Sequence, residues 1–208
     1  MQIFSREIVV SLKISTYQLK SGFQRLLSPS CTGLVKLGIS ANMITLFAMF
    51  CCIAYAWGLF LEQRVLLIFF PFFLLFRMIL NALDGMVAVR TKTQSRLGMV
   101  LNEAGDIISD TVLFLSFLVF LPSLKAFILA LTFGSLLIEI VSLVILSKKG
   151  IRPFCGPFGK SDRAVFMGML ALCIYFASPI QVLSYLIILS FVLMAATIFN
   201  RLKVQAPA

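Results

Sequence analysis

The sequence predicts an all-α, polytopic membrane protein with six transmembrane helices behind an N-terminal interfacial amphipathic helix. Three observations predict it. Hydrophobic residues make up 61% of the 208 and charged residues only 12%, with a mean hydropathy of +1.05. That leaves too little polar surface for a water-soluble domain of this size. The apolar residues fall into runs close to the ~20 residues a bilayer-spanning helix needs. Lys and Arg are concentrated in alternate segments between those runs.

Residues 1–39 contain no apolar run long enough to span and no signal-peptide pattern. Ile8, Leu12, Leu19, Phe23, Leu26 and Leu27 recur at roughly helical spacing among Arg6, Lys13, Lys20 and Arg25. The pattern predicts an amphipathic helix lying on an anionic leaflet, broken by Ser28-Pro29-Ser30 and Gly38 before the first span. Spans are expected at 40–61, 65–89, 98–121, 126–146, 164–177 and 180–199. The fifth is short for a ~30 Å core, so it is expected to reach back toward Asp162 or to be distorted near Pro179. The predicted organisation is an interfacial segment (1–39), one six-helix membrane domain (40–199) and a short tail (200–208). No internal repeat is evident, which argues against a repeat-built transporter.

Orientation follows from the basic residues. Five lie in the N-terminal stretch (Arg6, Lys13, Lys20, Arg25, Lys36), three in the 90–97 loop, five in the 147–163 loop and two in the tail. The opposite side has only Arg64 and Lys125, and Arg77 falls inside a span. This bias places both termini in the cytoplasm, as expected for an integral protein of the cell inner or plasma membrane. The net charge of +10 is thereby explained by membrane orientation, and no nucleic-acid partner is expected.

The chain has no histidine, which excludes His-based general bases, Ser-His-Asp triads and His-ligated zinc. Cys31, Cys51, Cys52, Cys155 and Cys173 form no C-x-x-C pair and read as small core residues. Ionisable residues within spans are costly and usually functional, and here they cluster. Asn81, Asp84, Asn102, Asp106 and Asp110 lie near the cytoplasmic ends of spans 2 and 3, with Arg77 and Glu103. At ~100° per residue Arg77, Asn81, Asp84 and Ala88 share one stripe. Asn102 and Asp106 share a face of the next helix, with Asp110 a turn deeper. An antiparallel hairpin of spans 2 and 3 would set Asn81 opposite Asp106 and Asp84 opposite Asn102. Such a cage of hard oxygen donors suits Mg²⁺ or Mn²⁺ bridged to substrate phosphates. Gly85 and Gly98 would let a flat or anionic ligand approach the backbone, or would serve helix packing.

The stretch Asn81-Ala82-Leu83-Asp84-Gly85-Met86-Val87-Ala88, followed by Gly98 and Asn102-Glu103-Ala104-Gly105-Asp106, resembles the CDP-alcohol phosphatidyltransferase family. That family's signature reads D-x-x-D-G-x-x-A-R, then eight residues, then G-x-x-x-D-x-x-x-D. Asn42-Met43-Ile44-Thr45 and Gly159-Lys160-Ser161-Asp162-Arg163 are similar to further family elements. The resemblance implies a six-span fold, often homodimeric, that transfers a phosphatidyl group from CDP-diacylglycerol to an alcohol and releases CMP in phospholipid biosynthesis. It implies Mg²⁺ or Mn²⁺ held by Asp84 and Asp106, with Asn81 and Asn102 as weak ligands or partners of the nucleotide. It further implies a nucleotide pocket shaped by Asp84, Gly85, Ala88 and Gly98, and Asp106 as the catalytic general base.

Lys160 and Arg163 would bind an anionic acceptor, glycerol 3-phosphate first among the candidates, or else lipid headgroups. An uncharged polyol or amino alcohol is the other acceptor class. The chain departs from the signature at Asn81, Asn102 and Val89, the last standing where the family has arginine. Glu103 and Asp110 are the candidate auxiliary acids that would restore the lost charge, and one tightly held metal ion is expected, with a second only alongside substrate. Two alternatives stand beside the enzyme: a transporter or cation-conducting protein using the same polar cluster, and a catalytically degenerate family member. For Glu139, within span 4, the expected role is structural only.

Overall fold

In lipid there is little hydrophobic drive between helices, so packing and polar contacts must decide which helices become neighbours. The computed structural model describes residues 22–149, 153 and 155–203. The expected contribution of Ile8, Leu12, Leu19, Arg6, Lys13 and Lys20 to an amphipathic helix lies outside the described residues. Within them the chain is all-helical: α1 over 22–36, α2 Ala41–Phe60, α3 Val65–Arg90, α4 Arg96–Ser116, a 3-10 turn Pro122–Leu124, α5 Lys125–Lys149, α6 Lys160–Tyr175 and α7 Ile180–Leu202.

Helix α1 runs straight through Ser28-Pro29-Ser30, contrary to the expected break. Proline removes one backbone hydrogen bond and crowds the preceding turn. Here that cost is offset by burial of Leu27 and Cys31 against Ile44, Leu83 and Val87. The predicted stop at Gly38 is real. Its φ of +72° lets the Gly38 and Ile39 N–H groups turn back to Val35 O (3.1 Å) and Leu34 O (3.0 Å), a glycine-capped helix end.

Serine hydroxyls start α2 and α4. Ser40 Oγ accepts from Met43 N and Ser95 Oγ from Gly98 N, satisfying N–H groups that the helix itself leaves unpaired. Helix α4 ends at Ser116, several residues short of the expected 121, because Pro122 cannot continue it and biases Leu121 to extended backbone. Helix α6 begins at Lys160, the extension toward Asp162 that its short apolar run required. Four helices are long and apolar enough to cross a bilayer: α2, α3, α5 with its leading turn, and α7. By the same measure α4 and α6 are not, since α4 carries Arg96, Glu103, Asp106 and Asp110 and α6 has 16 residues.

The helices α2 to α7 form a closed ring. Helix α2 packs between α3 and α4, α3 packs on α6, α4 on α5, α5 on α7, and α6 touches α7. The expected α3–α4 hairpin is therefore corrected: the two helices flank α2, which packs on both, and they meet each other through long side chains inside the ring. Side-chain volume explains it. Pro71 of α3 rests on Gly168 of α6, with ring carbons 3.6 Å from where a Cβ would stand. Thr45 of α2 packs at Gly105 of α4. One end of the ring is filled by Leu67, Phe70, Leu113, Phe114, Phe117 and Leu131. The other end, where α3, α5 and α7 finish and α2, α4 and α6 begin, holds the buried charges. The exterior shows Phe47, Phe50, Trp57, Phe72, Phe133 and Tyr185, as a lipid-facing surface should.

The loop into α6 is anchored to α7. Phe158 N donates to Thr197 Oγ1 at 2.9 Å. Gly156 has φ +126°, and a Cβ there would stand 2.5 Å from Thr197 Cγ2. Gly156→Val is expected to destabilise the protein by about 2 kcal/mol through backbone strain and overpacking. Gly33→Ala in α1, where an added methyl meets nothing within 4 Å, is expected to be neutral or slightly stabilising. Thermal unfolding in detergent reads both.

Candidate functional site

A charged side chain in a membrane interior must be paired or reach water, and here the pairing forms a continuous chain. It begins at Lys160 in the first turn of α6, whose Nζ lies 2.6 Å from Asp106 Oδ2 and 3.3 Å from Glu103 Oε2. On the other side of Asp106, Oδ1 accepts from Asn81 Nδ2 at 2.8 Å and from Arg77 Nη2 at 3.2 Å. Arg77 Nη1 then meets Asp110 Oδ1 at 2.5 Å. Asp110 Oδ2 receives Arg163 Nε and Nη2 at 3.1 and 2.9 Å. Arg163 Nη2 also reaches Glu139 Oε1 at 2.8 Å, and Arg201 approaches the same oxygen at 4.0 Å. Arg201 closes the chain by donating to Ser142 Oγ and to the backbone oxygens of Ile138 and Cys155.

Asp84 stands beside this chain. Its Oδ2 accepts from Thr45 Oγ1 at 2.8 Å, so its partner comes from α2 and not from Asn102 as the hairpin register implied. Its Oδ1 is buried and has no hydrogen-bond partner, an uncommon and costly condition for a carboxylate oxygen.

Three cavities meet around the last turns of α3. The first, of about 480 Å³, is lined by Asn42, Thr45, Asp84, Gly85, Ala88, Gly98 and Asn102, with Thr93 to Arg96 at its mouth. A Cβ on Gly85 would meet nothing within 4 Å, whereas one on Gly98 would stand 3.1 Å from Asn42 Oδ1. Gly85 thus widens the cavity, and Gly98 lets α4 come close to α2. The second cavity, about 390 Å³, is lined by Arg77, Asn81, Asn102, Glu103, Asp106, Asp110, Lys160 and Ser161. Asn102 belongs to both, so Asp84 and Asp106 look into adjoining chambers. The third, about 680 Å³ and largely apolar, lies between α1 and α3, against Phe23, Cys31, Ala82, Met86 and Val89.

The anticipated cluster of Asn81, Asp84, Asn102, Asp106, Glu103 and Asp110 is thus brought together, with Asn81 opposite Asp106 as expected. Two expectations change. Lys160 and Arg163 sit on α6 itself, not on a loop. Lys160 lines the second cavity, while Arg163 is turned inward, 1% exposed and held by Asp110 and Glu139, because two buried carboxylates demand its charge. Sequence reasoning missed Thr45 as the partner of Asp84, and Arg201 and Ser142 as the end of the charge chain. The available signal was Glu139 itself, since a mid-span acid implies a cation nearby.

A hard divalent cation takes oxygen donors and tolerates one or two carboxylates when substrate phosphates complete its shell. Asp84 fits that need, with one oxygen unsatisfied and the Asn42 and Asn102 side chains on the same cavity wall. Asp106 has both oxygens engaged by cations and an amide. Among the described residues no group of three acidic or thiol side chains is placed to hold a metal by itself. The residues present therefore suit one ion at Asp84, shared with a ligand's phosphates.

The family model described as CDP-alcohol phosphatidyltransferase matches residues 38–200. Inner membrane protein YnbA of Escherichia coli (strain K12) is 44% identical over 168 residues, covering 78% of this chain and 82% of that protein. Among solved structures, the Mycobacterium tuberculosis phosphatidylinositol phosphate synthase in complex with manganese and citrate superposes with a TM-score of 0.71 at 23% identity, covering 84% of this chain and 86% of that one. The same enzyme with CDP-DAG bound gives a TM-score of 0.68 at 23% identity, covering 86% and 92%. The ring of helices is thus a known fold, and the protein is an integral membrane protein.

Breaking a buried ion pair leaves an uncompensated charge and costs about 3–5 kcal/mol, whereas replacing both partners with apolar groups can be nearly neutral. Glu139→Leu and Arg163→Met are each expected to destabilise strongly. The double variant should recover part of the loss, and a double-mutant cycle on unfolding in detergent measures the coupling.

Proposed function

Since the chain belongs to the CDP-alcohol phosphatidyltransferase family, we propose that it transfers a phosphatidyl group from a CDP-linked lipid, CDP-diacylglycerol, to an alcohol and releases CMP. The observation that carries this reading is the pair of adjoining cavities, one lined by Asp84 and the other by Asp106 with Glu103 and Asp110, joined at Asn102. The cavity at Asp84, Gly85, Ala88 and Gly98 takes the nucleotide and diphosphate. The cavity at Asp106 takes the alcohol, so that its oxygen meets the lipid-side phosphorus in line with the departing CMP oxygen. The manganese and CDP-DAG bound by the mycobacterial synthase support a divalent ion and a CDP-lipid as the ligands of this chain as well.

Asp84 and the amides of Asn42 and Asn102 would hold Mg²⁺ or Mn²⁺ against the diphosphate, where such an ion would withdraw charge from the leaving nucleotide. Thr45 keeps the Asp84 carboxylate oriented. Asp106 is the general base, accepting the alcohol proton at Oδ2 once Lys160 yields that oxygen. Arg77 and Asn81 hold the other oxygen, fixing the direction in which Oδ2 points. Arg77 in turn is anchored on Asp110, and Asp110 on Arg163. The apolar cavity between α1 and α3 suits the acyl chains of the donor. In this reading α4 and α6 cross the bilayer with the four longer helices, α1 continues an interfacial amphipathic segment, and both termini face the cytoplasm.

Membranes containing the protein, supplied with labelled CDP-diacylglycerol, Mg²⁺ or Mn²⁺ and a panel of alcohols, are expected to release CMP. Asp84→Ala and Asp106→Asn should each lower the rate by about 100-fold or more. Flux of a cation or solute without CMP release would favour a transporter, and correctly folded protein that binds donor without turnover would favour a degenerate member. Orientation is checked separately. Alkaline phosphatase fused after α7 is expected to be inactive in a bacterial host, and an active fusion would overturn the cytoplasmic placement.

A further inference from the structure

The family resemblance assigns both Asp84 and Asp106 to the metal ion, yet the two carboxylates are surrounded differently. Asp84 Oδ1 is buried and meets no hydrogen-bond donor, and its Oδ2 accepts from the neutral hydroxyl of Thr45. Asp106 has no oxygen left in that condition. Its Oδ2 lies 2.6 Å from Lys160 Nζ, and its Oδ1 accepts from Asn81 Nδ2 at 2.8 Å and Arg77 Nη2 at 3.2 Å. Lys160 Nζ also lies 3.3 Å from Glu103 Oε2, so one ammonium bridges two carboxylates of α4, as a metal ion might. Its helix is pinned nearby. Arg163, one turn on, is buried and held by Asp110 and Glu139, and Asp162 Oδ2 caps the first turn at Gly159 N.

We infer that the Lys160 ammonium takes at Asp106 the place a metal ion would otherwise have, so that the divalent cation belongs to Asp84, Asn42 and Asn102 and Asp106 carries none. The inference rests on the proposed transfer reaction and makes Lys160 a positioning residue in it. Mg²⁺ or Mn²⁺ binds oxygen at about 2.1 Å, so an ion on Asp106 Oδ2 would lie within about 5 Å of Nζ. Like charges at that range repel strongly away from bulk water. Among the described residues, moreover, Asp106 joins no group of three acidic side chains placed to hold an ion. The arrangement suits a base. An oxygen bound to a metal has committed its lone pair, whereas an ammonium on a flexible four-carbon stem can withdraw and leave the oxygen to the alcohol proton. Lys160, with 35% of its side chain exposed, has room to do so. This departs from the expectation of Asp106 as a metal ligand and of a second ion alongside substrate.

The test counts Mn²⁺ bound to the full chain in lipid nanodiscs containing CDP-diacylglycerol. Equilibrium titration gives the number, and electron paramagnetic resonance separates a lone Mn²⁺ from a spin-coupled pair about 3.5–4 Å apart. The expected result is a single ion. Asp84→Ala should weaken its binding by about 100-fold or more, whereas Asp106→Asn should change it by less than about threefold. Lys160→Gln should admit a second, weaker Mn²⁺ and Lys160→Arg should not; a merely structural contact would leave the count unmoved in both. Two Mn²⁺ on the unaltered chain would overturn the inference, a measurement that stands even where a variant fails to fold. So would an Asp106→Asn protein that loses Mn²⁺ as completely as Asp84→Ala, or a folded Lys160→Gln protein that still binds one ion. CMP release by the unaltered chain would keep the transfer reaction standing in each case. No CMP release with any alcohol, from protein that binds both the donor and Mn²⁺, would overturn the transfer reading and with it the service of Lys160 to a base.

Discussion

The carboxylate of Asp110 holds the polar end of this protein together. It projects from α4 and is gripped by Arg77 of α3 on one oxygen and Arg163 of α6 on the other. Three helices that are not all backbone neighbours are thereby drawn to one point inside the ring. Asp106 and Glu139 share the two arginines with it, so each buried charge has more than one opposite partner. From this point the alternation of charge runs outward to Asp106 and Lys160 and inward to Glu139 and Arg201, reaching α5 and α7. Thr45 ties in α2 through Asp84, so every helix of the ring contributes to a single polar layer.

That layer explains how so many charged side chains can be stable within an otherwise apolar bundle. Asp106 is not a lone carboxylate at a cavity wall; Arg77 and Asn81 fix one of its oxygens and leave the other directed at the second chamber. Asn81 is suited to this place because its amide donates to Asp106 Oδ1. An ionised carboxylate there could not donate that hydrogen bond. The Asn81 amide thus joins Arg77 and Lys160 as a donor around Asp106. Asp84, by contrast, meets a hydroxyl on one oxygen and nothing on the other. The two carboxylates thus occupy different electrostatic surroundings.

The apolar end of the ring has the complementary task. Tyr55 stacks on Phe73 at 4.0 Å between ring centroids and donates to Leu66 O at 2.6 Å, locking the α2–α3 turn. Phe70 and Phe117 fill the space between α3 and α4. This end is filled, and the three described cavities lie toward the other, among the charged side chains.

Much of this was legible in the amino-acid order. Membrane residence, the positions of the apolar runs, the stripe shared by Arg77, Asn81 and Asp84, and the placing of Asn81 opposite Asp106 all follow from composition and helical periodicity. These are local properties, determined by residues a few positions apart. What only the tertiary structure decided is which helices are neighbours. Helix α2 entered between α3 and α4, so Asp84 found Thr45 and not Asn102. Pro29 was absorbed into a continuous helix by packing of its neighbours, and Arg163 was drawn inward by Asp110 and Glu139 when a basic residue before a span would ordinarily face the membrane surface. Periodicity states the direction in which a side chain leaves its own helix. The partner it meets depends on contacts between residues 24 to 63 positions apart, and these are chosen by pairing charge and matching volume across the whole ring.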